Sequence, residues 1–152
     1  MNNEVISNKN ISKWLIISFL LVAFIGFTDA AYLTTRYYRG ISMGCFASLG
    51  CDKVAISQYA TIGGIPVALI GIVYYFIILL TVAYYLWQEK EKIIYWLSRF
   101  TVVGFLASAW FVYLQLFIIK TICFYCMVSA AASTILFILG LIVIFKKNKG
   151  RV

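Results

Sequence analysis

The chain is predicted to fold as an all-α integral membrane four-helix bundle, with an extracytoplasmic loop that carries a cysteine pair and a short helix. Three observations predict it. The 152 residues are 64% hydrophobic and only 12% charged, with a mean hydropathy of +0.97, which no ordinary soluble domain combines. Four apolar stretches each supply the roughly 20 helical residues needed to cross a ~30 Å hydrocarbon layer. The four cysteines fall in two pairs, Cys45 with Cys51 in a loop-like stretch and Cys123 with Cys126 at the mouth of a long apolar run. With no internal repeat or low-complexity tract, residues 1–152 read as one transmembrane domain.

The first span, about Trp14–Leu33, is too long for the core of a cleaved signal, and no small-residue cleavage site precedes a soluble body. Asp29, near its outer end, is expected to reach the interface or to pair with Arg36 or Arg39. Proton delivery to a bound acceptor is the alternative. The loop from Thr34 to Gly64 has glycines at 40, 44 and 50 and few strong helix formers until a short helix near Asp52–Thr61. Cys45 and Cys51 are close enough to pair if this loop folds back. Such a bond is either a structural staple or, being exposed and glycine-flanked, suited to thiol exchange.

The second span, about Ile65–Trp87, contains the only proline, Pro66. A charged turn with Glu89, Lys90, Glu91 and Lys92 leads to the third span, about Ile93–Ile119. After Lys120-Thr121 comes the fourth, about Ile122–Phe145, followed by a basic tail. Tyr37-Tyr38, Tyr84-Tyr85 with Trp87, and Tyr95-Trp96 lie near span ends, as interfacial aromatics do. The tail, the charged turn and the N-terminal segment share one face and hold nine of the 13 basic residues. The positive-inside rule therefore puts both termini in the cytoplasm and all four cysteines on the oxidising, extracytoplasmic side. The +8 net charge is mostly this anchoring pattern. Nucleic-acid binding is excluded, because no soluble basic face with interleaved aromatics exists.

Without histidine and with five carboxylates, only the thiols are equipped for chemistry. Cys123 falls in the first turn of the fourth span, where free N–H groups and the helix dipole stabilise a thiolate. Cys126 lies on the same face and deeper, so one exposed nucleophilic sulfur and one sheltered sulfur are expected. A Cys₄ zinc site is disfavoured because the Cys45–Cys51 spacing is wider than a zinc knuckle. No metal is expected.

The run Cys45-x5-Cys51-Asp52-Lys53-Val54, then Ser57, Tyr59-Ala60, Gly64-Ile65-Pro66-x-Ala68 and Gly71, together with Cys123-x-x-Cys126, resembles the vitamin K epoxide reductase family. The resemblance extends from Asp29 to the end of the fourth span. It implies a four-helix bundle around a quinone, ubiquinone or menaquinone, with the loop cysteines above it. It also implies an enzyme that oxidises a thioredoxin-fold protein. Cys45 and Cys51 would exchange with that partner, and Cys51 would attack Cys123 of a Cys123–Cys126 disulfide. Cys126 would then pass electrons to the quinone, directly or through a transient adduct, with Ser57 hydrogen-bonding a carbonyl. The chain ends at Val152 without a fused thioredoxin-like domain, so the partner is expected as a separate chain. Ala130 stands where the vertebrate branch has tyrosine, which favours quinone over vitamin K epoxide as substrate.

On the third span Gly104, Ser108, Phe111, Gln115 and Ile119 recur at helical spacing and share one stripe. Small and polar residues in membranes face the bundle interior. These five, with Asp52, Ser57 and Thr61 from the loop, are the candidate quinone-binding residues. Helix packing with Gln115 as interhelical glue is the competing explanation. At the level of function the alternatives are reduction of a quinone epoxide, or a non-catalytic membrane protein with structural disulfides.

Overall fold

Backbone N–H and C=O groups cannot go unpaired in hydrocarbon, so long apolar stretches become helices that satisfy their own backbone. A computed structural model describes residues 13–42, 44, 50–88 and 90–149, apart from the side chains of 91 and 147–149. Helix α1 spans Lys13–Arg39, the short α2 Cys51–Ala55, α3 Val67–Gln88, α4 Glu91–Tyr113 and α5 Phe124–Lys149. The four long helices meet the length and hydropathy of membrane spans, so the protein is an all-α, multi-pass membrane bundle. Several serine and threonine hydroxyls within the spans turn back to carbonyls of their own helix, as Thr28, Thr34 and Ser98 do at 2.8–2.9 Å. They are thus paired without a second element.

The ends of the elements differ from expectation for local reasons. Helix α1 runs past Leu33 to Arg39, its last turn carrying Arg36 and Arg39 where cations favour the helix dipole. It stops where Gly40 takes a φ of 61° and the Ile41 N–H reaches back to the Arg36 carbonyl at 3.3 Å, a Schellman closure. The loop helix α2 is shorter than expected and starts at Cys51. Residues 65 and 66 are not helical. Ile65–Pro66 forms β2, which pairs antiparallel with β1, Thr61–Ile62. The hairpin turns through Gly63 and Gly64 at φ of 60° and 86°, the left-handed pair that a two-residue turn demands. A residue before proline favours extended backbone, so α3 begins only at Val67.

Helix α4 widens into a π-helical turn, Leu114–Ile118. There the Ile119 N–H bonds to the Leu114 carbonyl at 2.8 Å and the Thr121 N–H to the Gln115 carbonyl at 3.0 Å. Lys120, at φ 53°, reverses the chain into α5.

Helix α1 packs against α3 and α5, and α4 closes the square against the same two. Phe19, Ile78, Val82, Leu97 and Leu136 fill the interior, while Leu21, Phe24, Leu106 and Trp110 face outward, as a lipid-facing surface requires. Trp87 and Trp96 project strongly at the end remote from α2, but Tyr85, expected at the interface, is buried within the same core. Asp29 is a second correction. It is buried, its Oδ2 has no hydrogen-bond partner, and it pairs with neither arginine. Arg36 instead lies 5.1 Å over the Tyr32 ring and donates to the Ser42 carbonyl at 3.4 Å.

Candidate functional site

Two stretches separated by two membrane crossings meet at one end of the bundle. Cys51 and Val54 of α2, Leu33 of α1 and Cys123 form a single buried cluster, with Cys126, Ile119 and Ala68 packed around it. The approach is close. A methyl group on Gly50 would collide with the Thr121 side chain, so glycine lets the loop settle directly onto the segment leading into α5. Cys51 is disulfide-bonded, whereas Cys123 and Cys126 are free thiols. Cys45 lies outside the described residues.

Cys123 stands one position earlier in its helix than expected. Its carbonyl accepts the Met127 N–H at 3.0 Å, so it is the N-cap of α5 and Cys126 is the third residue within the helix. Its own N–H donates to Gln115 Oε1 at 3.0 Å. Gln115 therefore holds both ends of the approach to α5, by its carbonyl at Thr121 and its side chain at Cys123. Tyr125 packs its ring against Tyr32 at 4.9 Å and ties the same turn to α1.

The expected contrast in exposure is reversed. Cys123 is 1% and Cys51 2% exposed, because α2 covers the start of α5. Cys126 is the more accessible of the motif pair, through the cavity described below. The Cys123 thiol is nonetheless lowered from 9.0 to about 7. The largest cause is hydrogen bonding from the Cys126 thiol. The N–H groups of Cys126 and Tyr125 add to it, and burial and the Asp29 charge oppose it. An N-cap side chain receives those same two N–H groups in ordinary helices. A group of lowered pKa is ionised above its folded value, so Cys123 is expected to convert to thiolate as pH rises through about 7. Ultraviolet thiolate absorbance of the reduced protein checks this. Cys126→Ala, which removes the main donor, moves the midpoint upward.

Beneath the cysteines lies a cavity of about 340 Å³, within the range that takes a small planar ligand. Of the residues expected at a quinone, Ser57, Gly104, Ser108, Phe111, Gln115 and Ile119 line it, as do Cys51, Cys123 and Cys126. Asp52 and Thr61 do not. Asp52 is exposed and accepts the Ser42 hydroxyl at 2.7 Å, and Thr61 is held in the hairpin opposite Pro66. Ser57 donates its hydroxyl to the Val54 carbonyl at 2.7 Å, so it faces the cavity as an acceptor rather than the expected donor. With Gln115 Oε1 occupied by Cys123, what Gln115 offers a ligand is its amide N–H groups.

Sequence reasoning missed the opposite wall. Tyr74, Tyr75, Ser129 and Ser133 also line the cavity, with the Tyr75 hydroxyl donating to the Ser129 carbonyl at 2.8 Å. The serines were findable, since they continue the Cys126 face of α5 at intervals of three and four. The tyrosines were not, since α3 is apolar on every side.

The arrangement can carry out thiol–disulfide exchange between Cys51 and Cys123, and can bring an apolar, flat acceptor beside Cys126. The model of the vitamin K epoxide reductase family matches residues 17–141. No curated protein matches the chain.

Proposed function

Because the chain belongs to the vitamin K epoxide reductase family, we propose that it is a membrane thiol oxidase supporting disulfide bond formation. In this reading electrons pass from a separate thioredoxin-fold protein through Cys45 and Cys51 to Cys123 and Cys126, and on to a membrane quinone. Family membership itself makes the protein a multi-pass membrane oxidoreductase of the thiol and quinone type. The observation that carries the finer reading is the burial of Cys51 and Cys123 in one cluster, above a cavity onto which Cys126 opens.

The partner's dithiol reduces a Cys45–Cys51 disulfide and leaves oxidised. The Cys51 thiolate attacks Cys123 of a Cys123–Cys126 bond, forming Cys51–Cys123 and releasing Cys126 as thiolate. Cys45 then attacks Cys51, restoring the loop disulfide and releasing Cys123. A disulfide-bonded Cys51 beside free thiols at both Cys123 and Cys126 fits the state that this sequence reaches before oxidation of the second pair. The lowered Cys123 pKa makes it a good leaving group in the last exchange, since low-pKa thiols depart faster. A quinone, when bound, takes two electrons and two protons and becomes quinol. The cysteines face the extracytoplasmic side, where a partner made for an oxidising compartment would meet them.

The test is turnover of the purified protein in lipid, with a reduced thioredoxin-fold protein and either a ubiquinone or a menaquinone analogue. One quinol is expected for each disulfide formed in the partner. Absence of quinol with every quinone would overturn the reading. Faster turnover of a quinone epoxide than of the quinone would replace it with the epoxide reductase.

A further inference from the structure

We propose that the hydroxyls of Tyr74 and Ser133 form a subsite at the deep end of the cavity for the ring carbonyl of a quinone that points away from the cysteines. The proposal rests on the quinone reading above and adds the residues that select and orient the ring.

Among the described residues, the buried side-chain polar atoms without a hydrogen-bond partner are Asp29 Oδ2, Tyr74 Oη and Ser133 Oγ. Two of the three line the same cavity, and Ser133 is only 1% exposed. Buried hydroxyls are almost always paired, so two unanswered ones on one wall call for an explanation. They are also neighbours: the Ser133 hydroxyl lies close enough to bond toward the Tyr74 oxygen, although the pair does not reach full hydrogen-bond geometry. Even if they shared a bond with each other, two hydroxyls carry two protons, and one would still point at no acceptor.

Their depth suits a ring oxygen. Ser133 follows Cys126 by two helical turns on the same face, which sets it about 10 Å lower at 1.5 Å per residue. That is roughly the length of a thiol-to-ring contact, one six-membered ring with its carbonyl, and a hydrogen bond. Between Cys126 and Ser133 the wall carries Ser129, engaged by the Tyr75 hydroxyl, and apolar residues such as Ala107, Ile70 and Val103, so Tyr74 and Ser133 are the hydroxyls on this wall without another partner.

The Tyr74 hydroxyl is also held in place. Its ring stacks on Phe100 at 5.3 Å and meets Tyr75 edge-on at 5.1 Å. A methyl group at Gly104 would overlap the Tyr74 phenol, so glycine there is what lets the phenol cross the cavity toward Ser133. A donor fixed in advance loses little freedom on binding. A site built to answer a ligand oxygen also rejects analogues that lack it, which gives the subsite a role in choosing a ring with two opposed oxygens.

The experiment uses the full chain in lipid nanodiscs, with 2-methyl-1,4-naphthoquinone labelled with ¹³C at its carbonyls as probe. Wild type, Tyr74→Phe and Ser133→Ala are compared by binding titration, infrared difference spectroscopy and thermal unfolding. Each substitution is expected to raise the dissociation constant about five- to tenfold. One of the two carbonyl bands should return toward its unbonded frequency, the other staying where wild type has it. Without quinone, both variants should unfold at the wild-type temperature or above it, because an unanswered hydroxyl has been removed. Unchanged carbonyl bands and affinity overturn the subsite while leaving the quinone reading intact. Lower stability of the quinone-free variants overturns it as well, by showing that the hydroxyls serve the fold. Failure of wild type to bind the probe or a ubiquinone analogue overturns the quinone reading itself.

Discussion

Cys126→Ala is expected to abolish quinol formation, lowering it by roughly three orders of magnitude or more, as loss of a covalent catalytic group does. The same variant should accumulate a Cys51–Cys123 disulfide, formed when the Cys123 thiolate attacks Cys51 of the loop disulfide and releases Cys45, or a mixed disulfide, formed when a thiolate of the thioredoxin-fold partner attacks Cys45 and releases Cys51. Cys126 opens onto the cavity, and Cys123 is sealed beneath α2 at 1% exposure. Removing Cys126 therefore takes away the sulfur that faces the electron acceptor, and leaves intact the one that faces the loop. With its neighbour gone, Cys123 still has Cys51 in its own buried cluster, and the bond between them has no internal thiol to displace it from below. Non-reducing electrophoresis after partner addition, with quinol followed by absorbance, reads both consequences. Normal quinol formation by Cys126→Ala would remove Cys126 from the electron path.

The chemistry of the motif pair comes from helix geometry more than from the cysteines themselves. At an N-cap the side chain faces N–H groups that the helix cannot use, and serine or aspartate usually occupies the place. Cysteine there turns the same N–H groups toward a sulfur, and the Cys126 thiol adds a further donor. Gln115 fixes the backbone from the other side at 3.0 Å. Its position in a π-helical turn aims the amide up at Cys123. A regular α-helix would carry successive side chains around the axis at 3.6 residues per turn, and π-turns often mark functional positions for this reason.

Much of this was legible beforehand because lipid leaves few choices. Apolar length set the four spans, and helical spacing put Gly104, Ser108, Phe111, Gln115 and Ile119 on one stripe, all of which line the cavity. The errors fall where backbone closure or tertiary cover decides. Asp52 and Thr61 belong to the loop that carries Cys51, yet they stand off the cavity, because a serine hydroxyl holds one and a two-residue hairpin holds the other. Cys123 is buried rather than exposed because α2 folds over it, a cover that no helical period reports. Tyr74 was invisible because an all-apolar helix has no polar face to contrast with it, and the small residue that admits its phenol, Gly104, lies on a different helix. Pairings across elements are set by shape, and sequence spacing within one element does not record them.

The double variant Cys45→Ala/Cys51→Ala separates the two roles that a loop disulfide can play. Both sulfurs are removed so that no stray thiol remains to make adducts. If the loop pair relays electrons, quinol formation driven by the thioredoxin-fold protein should fall about a thousandfold or more. Turnover driven by a small dithiol able to enter the cavity should stay within a few fold of wild type, because Cys123, Cys126 and the lining below them are untouched. If the pair is a staple, the outcome inverts. Partner-driven turnover would persist, and the loss would appear as lowered thermal stability, typically 2–4 kcal/mol for a disulfide. The structure favours the first result for a steric reason. Cys123 is buried under Cys51 and Val54, and the Gly50 backbone is seated against Thr121. A protein-sized donor cannot bring its own cysteine to that sulfur while α2 stays in place, whereas Cys51 is already there.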